Sequence, residues 1–212
     1  MPRAQLRIAG LLSLLAAAIL ALVVAHTNGP YAFEKPALRW LGPPAARETW
    51  RDLALLLGAP AIGVALVVSL VLGFLKRAFL RVVVYAALVV AALLISEHVA
   101  KPLVRRTFDT EFTFPSGHVT AVSATALALW LAFYPLLGRR ARIITFVAGI
   151  VWILLISLAV IGAQWHTPLD AIGSILLSVG VVAGGAGLLE PAEGRGLLLD
   201  PRRARIGEPE DG

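Results

Sequence analysis

The chain has 212 residues, of which 58% are hydrophobic and only 15% are charged, and its mean hydropathy is +0.83. Soluble domains carry about 25% charged residues. The composition therefore excludes a disordered chain, a nucleic-acid-binding domain and nearly all soluble enzymes, and it is typical of a polytopic membrane protein. Cysteine is absent, which excludes disulfides, a thiolate nucleophile and cysteine-ligated metals. The net charge of +6 comes from basic residues in short loops, where they set topology and contact anionic headgroups.

Six long apolar runs follow one another along the chain, and each is near the ~20 residues that a helix needs to cross a hydrocarbon core of ~30 Å. Because lipid offers the backbone no water to bond, we expect helices rather than strands. The predicted fold class is all-α, a polytopic membrane bundle of six transmembrane helices. The runs lie at 8–25, 53–75, 82–100, 118–137, 143–163 and 169–189.

The first run follows Arg3 and Arg7, a pattern that also occurs in signal peptides. Its apolar stretch is longer than a typical signal core and no clear cleavage site follows, so we expect a retained helix. We expect a single membrane domain over 1–189. The segment 190–212 is polar, with Gly, Pro and mixed charge, and is typical of a disordered cytoplasmic tail.

The distribution of basic residues predicts the orientation. Alternate loops place 12 of the 19 Lys and Arg residues on one side and 7 on the other, and the richer side is expected to be cytoplasmic. Both termini are then inside, and the loop 26–52 is outside with Trp40 and Trp50 as interfacial anchors. The twelve residues are Arg3, Arg7, Lys76, Arg77, Arg81, Arg139, Arg140, Arg142, Arg195, Arg202, Arg203 and Arg205.

Polar residues gather at three span ends that this topology brings to the outer surface. They lie in the segments 97–106, 114–118 and 164–170. Two histidines, a lysine and two arginines can then converge at one membrane depth, and such residues mark a functional site by default. Three of the seven outer basic residues, Lys101, Arg105 and Arg106, lie in one short loop against the charge rule. An anion on the outer face would keep them there.

The residue types in this set favour phosphate as the anion. Ser116 and Gly117 at a helix start offer free backbone N–H groups and the positive end of a helix dipole. Lys101 and the two arginines supply positive charge. Of two imidazoles, one can attack phosphorus while the other protonates the leaving oxygen.

Asp170 lies four residues after His166, so on a helix the carboxylate can hold the imidazole tautomer and stabilise its cation. A second interpretation stays open, in which Thr167 is an N-cap and Asp170 serves that cap. Lys101 likewise could simply pair with Glu97 one turn earlier.

Two segments resemble motifs of a known family. Pro-Ser-Gly-His at 115–118 and His-x-x-x-Asp at 166–170 resemble the second and third motifs of the phosphatidic acid phosphatase type 2 / haloperoxidase family. Lys101 with a following arginine resembles its first motif. The resemblance covers residues 97–174 by motif, and the six spans extend it over most of the chain. It implies a metal-independent lipid phosphatase with no cofactor.

The resemblance also implies a role for each residue. His166 is the nucleophile and forms a phosphohistidine that water hydrolyses, His118 is the general acid, and Asp170 orients His166. The residues implied to hold the substrate phosphate are Lys101, Arg106, Arg105, Ser116 and Gly117.

Two departures from the family pattern stand out. The family has an arginine seven positions after the lysine of its first motif, where this chain has Phe108, so Arg106, or else Arg105, would supply that charge. The family also has an arginine six positions before the third-motif histidine, where this chain has Val160. Loss of such a donor removes about 3 kcal/mol of transition-state stabilisation.

We therefore expect an integral membrane phosphatase that acts at the outer face on phosphatidate, phosphatidylglycerol phosphate, or a polyprenyl phosphate or pyrophosphate. Its partners are its lipid substrate and membrane lipids, without nucleic acid or metal, and the oligomeric state stays open. The alternatives are a lipid phosphotransferase with the same site and a non-catalytic lipid-phosphate-binding or transport protein. His26 and His98 are expected to be structural, and Gln164 and Trp165 to line or roof the pocket.

Overall fold

The computed structural model describes residues 3–108 and 111–193. Within these residues six helical rods are long and apolar enough to cross a membrane. The predicted all-α bundle of six transmembrane helices is therefore confirmed, and the protein is a multi-pass membrane protein. In chain order the elements are α1 (Arg3–Val24), α2 (Lys35–Leu41), a 3-10 turn (Pro44–Ala46), α3 (Arg47–Leu57), α4 (Ala59–Leu75), α5 (Phe79–Leu94), a π turn (Ile95–Ala100), α6 (Lys101–Val104), β1 (Thr107–Phe108), β2 (Glu111–Phe112), α7 (Gly117–Phe133), a 3-10 turn (Tyr134–Leu136), α8 (Arg139–Gly162) and α9 (Pro168–Glu193).

The second rod consists of two helices, α3 and α4, that meet at Gly58. Pro60 is the second residue of α4, and its missing N–H cannot continue the hydrogen bonds of α3. α3 packs on α8, where a Cβ added to Gly162 would lie 2.5 Å from the Trp50 ring. Trp50 is thus packed against a helix rather than free at the interface, whereas Trp40 is 81% exposed.

The third rod contains a π turn directly before Lys101. The N–H of Lys101 donates to the Ser96 carbonyl, five residues back. Pro102 lacks an N–H, so the ordinary helical ladder has a gap at this point. Such turns are frequent at functional sites. The rod then runs to Val104, four residues past the predicted end, and Arg105 terminates it in a left-handed conformation with φ of 52°.

α1 packs closely along α9 through small residues. A Cβ added to Gly10 would lie 2.5 Å from the backbone of Gly184, and Arg7 donates from Nε to the Gly187 carbonyl at 2.9 Å. Small residues let helix backbones approach in lipid. This contact makes α1 part of the bundle.

α7 lies in the middle of the bundle and packs against α5, α8 and α9. Hydroxyls of α9 bond to it, with Ser174 donating to the Ser116 carbonyl at 3.0 Å and Ser178 to the Thr120 carbonyl at 3.1 Å. α9 continues to Glu193, beyond the predicted end of the membrane domain at 189. The rest of the predicted tail lies outside the described residues.

The first connecting loop, residues 25–34, is attached to the hairpin β1–β2. His26 donates its N–H to Val104 at 2.9 Å, and the N–H of Thr107 donates to Thr27 at 3.0 Å. The loop therefore lies against the segment that leads from the third rod into α7.

Candidate active site

A cavity of about 880 Å³ contains both histidines that the sequence motifs single out. Its polar lining includes Glu97, Lys101, His118 and His166, and its apolar lining comes from α4, α5 and α7. Val89, on the same rod as Lys101 and 12 residues before it, also lines the cavity. At 1.5 Å per helical residue the cavity therefore extends roughly 18 Å along the rod.

His166 lies in the short connection between α8 and α9, with its side chain almost fully buried. Its Nδ1 is 3.0 Å from the Thr113 carbonyl oxygen. Because a carbonyl oxygen only accepts, this hydrogen bond requires the proton on Nδ1 and leaves Nε2 with a free lone pair. Burial lowers the pKa of His166 to about 3, helped by the positive charge of Lys101 and by His118, while the bond to Thr113 opposes the shift. The ring is thus neutral at physiological pH.

Asp170 makes its short contacts with groups other than the His166 ring. Its Oδ2 accepts the Thr167 N–H at 2.8 Å and is 3.9 Å from His166 Nδ1. This geometry matches the N-cap interpretation, in which the third residue of α9 closes the helix start. Asp170 therefore shapes the loop that carries His166 and acts on the ring at longer range, while the Thr113 carbonyl fixes the tautomer.

Sequence reasoning missed Thr113, because a backbone carbonyl leaves no residue signature. A sequence motif is recognised by its side chains. The group that contacts His166 is instead a main-chain carbonyl, and it lies one residue before the predicted segment 114–118. Thr113 is held there by its own N–H, which donates to the Arg106 carbonyl at 3.0 Å.

The structure does not bring either predicted phosphate-binding arginine to the cavity. Arg106 is 1% exposed, and its guanidinium donates to Asp170 Oδ1 at 3.0 Å and to Glu34 Oε2. Arg105 is exposed and donates from Nε to the Pro102 carbonyl at 3.1 Å. The pairing with buried carboxylates directs Arg106 behind the site, and the helix end directs Arg105 away from it.

Of the predicted phosphate-binding pair Ser116 and Gly117, only Gly117 lines the cavity in the structure. Ser116 is fully buried, its N–H donates to the Ser174 hydroxyl at 2.7 Å, and its own hydroxyl accepts the Val119 N–H as the N-cap of α7. Gly117 lines the cavity. A Cβ at Gly117 would lie 2.5 Å from Glu97 Oε1, so only glycine allows a carboxylate or phosphate oxygen so close to the helix start.

Lys101 lies in the cavity and forms the predicted pair with Glu97, with Nζ 2.8 Å from Oε2. Of the described residues that line the cavity, Lys101 is the one permanent cation, and Glu97 and Glu111 are the carboxylates in the same lining. A phosphate that enters must therefore compete with Glu97 for the ammonium group.

Val160 points into an apolar cluster with Leu38 and Ala54 and is fully buried. Its carbonyl accepts the N–H groups of Trp165 and His166 at 3.0 and 3.3 Å. The position where the family has an arginine thus supports the loop that carries His166 through its backbone and contributes no charge.

Four further residues named in the sequence analysis lie in two different places. Gln164 and Trp165 line the cavity, and the Trp165 ring centre is 5.4 Å from that of His118. His26 and His98 are exposed and lie outside the lining, and the structural roles expected for them stay a prediction.

Comparisons with known proteins support the motif-based resemblance. Residues 97–188 match the family model of the PAP2 superfamily, so the resemblance is confirmed over that segment. The fold is similar to the crystal structure of a transmembrane PAP2-type phosphatidylglycerolphosphate phosphatase from Bacillus subtilis, with 17% sequence identity and a TM-score of 0.71, covering 86% of this chain and 96% of that chain. At this identity the likeness shows a shared fold. None of the curated proteins matches the sequence.

Proposed function

We propose that the protein is an integral membrane lipid phosphate phosphatase. The observation that carries the proposal is the single cavity in which His166 and His118 lie with Lys101 and the start of α7. The match of residues 97–188 to the PAP2 superfamily supports it.

His166 starts the reaction in two balanced steps. The free lone pair on Nε2 attacks phosphorus, the bond from phosphorus to the lipid oxygen breaks, and that oxygen takes a proton from His118. Water then attacks the phosphohistidine, gives a proton to His118, and releases inorganic phosphate as the N–P bond breaks. Lys101 and the first N–H groups of α7 stabilise the charge on the phosphoryl oxygens. These residues supply the nucleophile, the acid and the charge, so the proposed reaction needs no metal.

The apolar part of the cavity supports a lipid substrate. Ile62, Val89, Leu93 and Ala121 line it away from the histidines, so that an acyl or prenyl tail can lie between α4, α5 and α7 while the phosphate reaches His166. Phosphatidate, phosphatidylglycerol phosphate, and polyprenyl phosphate or pyrophosphate all fit this description. We propose that the site faces the extracytoplasmic side, as the basic residues predict.

Phosphate release from a short-chain lipid phosphate in detergent with EDTA tests this function. We expect His166→Ala to lower kcat by about 10³-fold or more, because the nucleophile is lost. His98→Ala is the matched control, since His98 is exposed and outside the cavity, and it should retain wild-type release. Equal release from wild type and His166→Ala, or loss of release in EDTA, would contradict the mechanism.

A second candidate is a non-catalytic protein that binds lipid phosphates. Val160 in place of an arginine, and Lys101 engaged by Glu97, favour it. It predicts that the wild-type protein binds a lipid phosphate in the presence of EDTA and releases no phosphate from it.

A further inference from the structure

Three buried charged groups lie directly behind the cavity. Glu34 is 1% exposed, Arg106 is 1% exposed and Asp170 is fully buried. Arg106 joins the two carboxylates, since Nη1 donates to Asp170 and Nη2 to Glu34. We call these three residues the buried charge cluster. Buried ions persist only when they are paired and hydrogen-bonded.

Glu34 ties together three separate parts of the chain. Its Oε2 accepts the Tyr31 N–H at 2.9 Å within the first connecting loop, and it also accepts from Arg106, at the start of the hairpin. Its Oε1 accepts the Leu169 N–H at 3.0 Å in the first turn of α9. Burial alone would raise the pKa of Glu34, but the donors around it more than offset burial and hold the pKa below its usual range. The carboxylate is therefore charged.

Arg106 is held by this arrangement with little freedom to turn toward substrate. Its Nη2 also lies 3.5 Å from the Gly29 carbonyl, and its guanidinium carbon lies 5.6 Å from the centre of the Tyr31 ring. Turning it out of the cluster would leave two buried carboxylates unpaired, which is costly.

With both carboxylates ionised, as their hydrogen bonds to the Arg106 guanidinium favour, the cluster carries one negative charge in excess. Asp170 and Arg106 alone would form a neutral pair, and Glu34 adds a second carboxylate. When His166, with its proton on Nδ1, takes a phosphoryl group at Nε2, its ring becomes positive. Asp170 Oδ2 lies 3.9 Å from Nδ1 of this ring, so a net negative charge on the cluster stabilises that state.

We propose that Glu34 is a positioning residue of the active site, which fixes Arg106 and the start of α9 and supplies the excess negative charge that favours the phosphorylated His166. This inference rests on the phosphatase function proposed above. Glu34 lies outside the segment 97–188 that matches the family, and it is 132 positions before His166 in the sequence.

Glu34→Gln tests the proposal, because glutamine keeps the shape and an acceptor oxygen but removes the charge. We expect kcat to fall about 10- to 100-fold, the cost of a misplaced or less stabilised reacting group, with KM changed less than about twofold, since Glu34 does not line the cavity. Glu48→Gln on α3 is the matched control, as Glu48 is exposed, and should leave kcat unchanged. A folded Glu34→Gln protein with wild-type kcat would overturn the proposal.

Coupling between Glu34 and Arg106 gives a second test. Glu34→Gln with Arg106→Gln restores a single negative charge on Asp170, so the double variant should lose less activity than the product of the two single losses. Strictly multiplicative losses would show that the two residues act independently. If Glu34→Gln fails to fold, Glu34→Asp keeps the charge on a shorter side chain and should give a kcat between one-tenth of wild type and wild type. A kcat for Glu34→Asp as low as for His166→Ala would contradict the charge role.

A measurement without turnover separates this inference from the proposed function. In ¹⁵N-histidine NMR spectra of the protein in micelles, wild-type His166 should show a protonated Nδ1 and a bare Nε2, and Glu34→Gln should shift or broaden these signals. If no lipid phosphate is hydrolysed by the wild type, the proposed function fails, yet the spectra still test the positioning. Identical His166 spectra in wild type and Glu34→Gln would overturn it.

Discussion

In the proposed mechanism, the reactivity of His166 depends on a main-chain carbonyl and on burial. The Thr113 oxygen selects the tautomer with a free Nε2, and burial keeps the ring uncharged, so that the proposed nucleophile needs no separate base. The sequence motif identifies His166 but not these two conditions. The same holds for Lys101, whose partner Glu97 is visible in the sequence as an alternative and is observed in the structure.

His166 should therefore stay neutral well below pH 6.5. With a pKa near 3 in the folded protein, its ring signals should not titrate between pH 7.5 and 5 in histidine-labelled NMR spectra, with His166→Gln used for assignment. Because this pKa lies below the unfolded value, neutral His166 contributes stability that is present above pH 6.5 and is lost as the pH falls toward 3. A titration midpoint between pH 6 and 7 would contradict the buried, neutral ring.

Glu97→Gln should strengthen the binding of phosphate. The substitution frees Lys101 and removes a negative charge next to Gly117, so the inhibition constant of inorganic phosphate should fall about fivefold, the worth of a partly exposed ion pair. The measurement is inhibition of lipid phosphate hydrolysis, with Glu48→Gln as the control. Weaker inhibition by phosphate would mean that Glu97 holds Lys101 in its binding position.

The helices show which structural features hydropathy reveals and which it misses. The six spans were predictable because the length of each apolar run can be counted from the sequence. The division of the second rod at Gly58 and the π turn at Ile95–Ala100 were not predicted, because hydropathy reports apolar length and not the continuity of backbone hydrogen bonds, which the prolines at 60 and 102 interrupt. Both irregularities lie beside the cavity, since Gly58 and Lys101 line it.

The contact between α1 and α9 gives a prediction with a matched pair of substitutions. Gly10→Ala should destabilise the protein by about 1–3 kcal/mol, since its Cβ would overlap the α9 backbone. Gly184→Ala on the facing helix should be neutral or stabilising, because its Cβ would lie 3.8 Å from the nearest neighbouring atom, Gly10 Cα. Thermal unfolding in detergent measures both. Equal effects would contradict the close approach.

The groove beside α4 should determine the length of lipid tail that is accepted. Gly63 lines the cavity and has no atom within 4 Å of an added Cβ, so Gly63→Phe can project into the groove. We expect kcat/KM for long-chain lipid phosphates to fall about tenfold or more relative to short-chain ones, as expected for a blocked apolar pocket. Val67→Phe, at an exposed position of α4, should leave this ratio unchanged. The same ratio in both variants would place the tail elsewhere.

The assembled molecule brings together groups from distant parts of the chain. The motifs predicted that polar residues from separate span ends converge, and His118, His166, Lys101 and Gly117 do line one cavity. This was predictable because motif spacing determines which span ends carry polar residues. The prediction that Arg106 lies in the cavity was wrong. Its partner Glu34 is in another loop, and only the folded chain shows that the two form a buried pair. The prediction that Ser116 binds phosphate was wrong for a related reason. Its N–H donates to Ser174 of α9 and its hydroxyl accepts from Val119 of α7.

The orientation in the membrane is tested by labelling single cysteines. The chain has no native cysteine, so Ala45→Cys and Arg140→Cys, both at exposed positions, would each carry the only thiol. In intact cells a membrane-impermeant maleimide should label Ala45→Cys, and it should label Arg140→Cys only after permeabilisation. The reverse pattern would place the cavity on the cytoplasmic side.

A covalent phosphoenzyme links the cavity to the proposed chemistry. Incubation of the protein with a lipid that carries ³²P in its terminal phosphate, followed by rapid denaturation in alkali, should trap label that is stable to base and labile to acid, as expected for phosphohistidine. The label should be absent from His166→Ala and present in His98→Ala. Hydrolysis by the wild type without trapped label, or label that persists in His166→Ala, would contradict nucleophilic attack by His166.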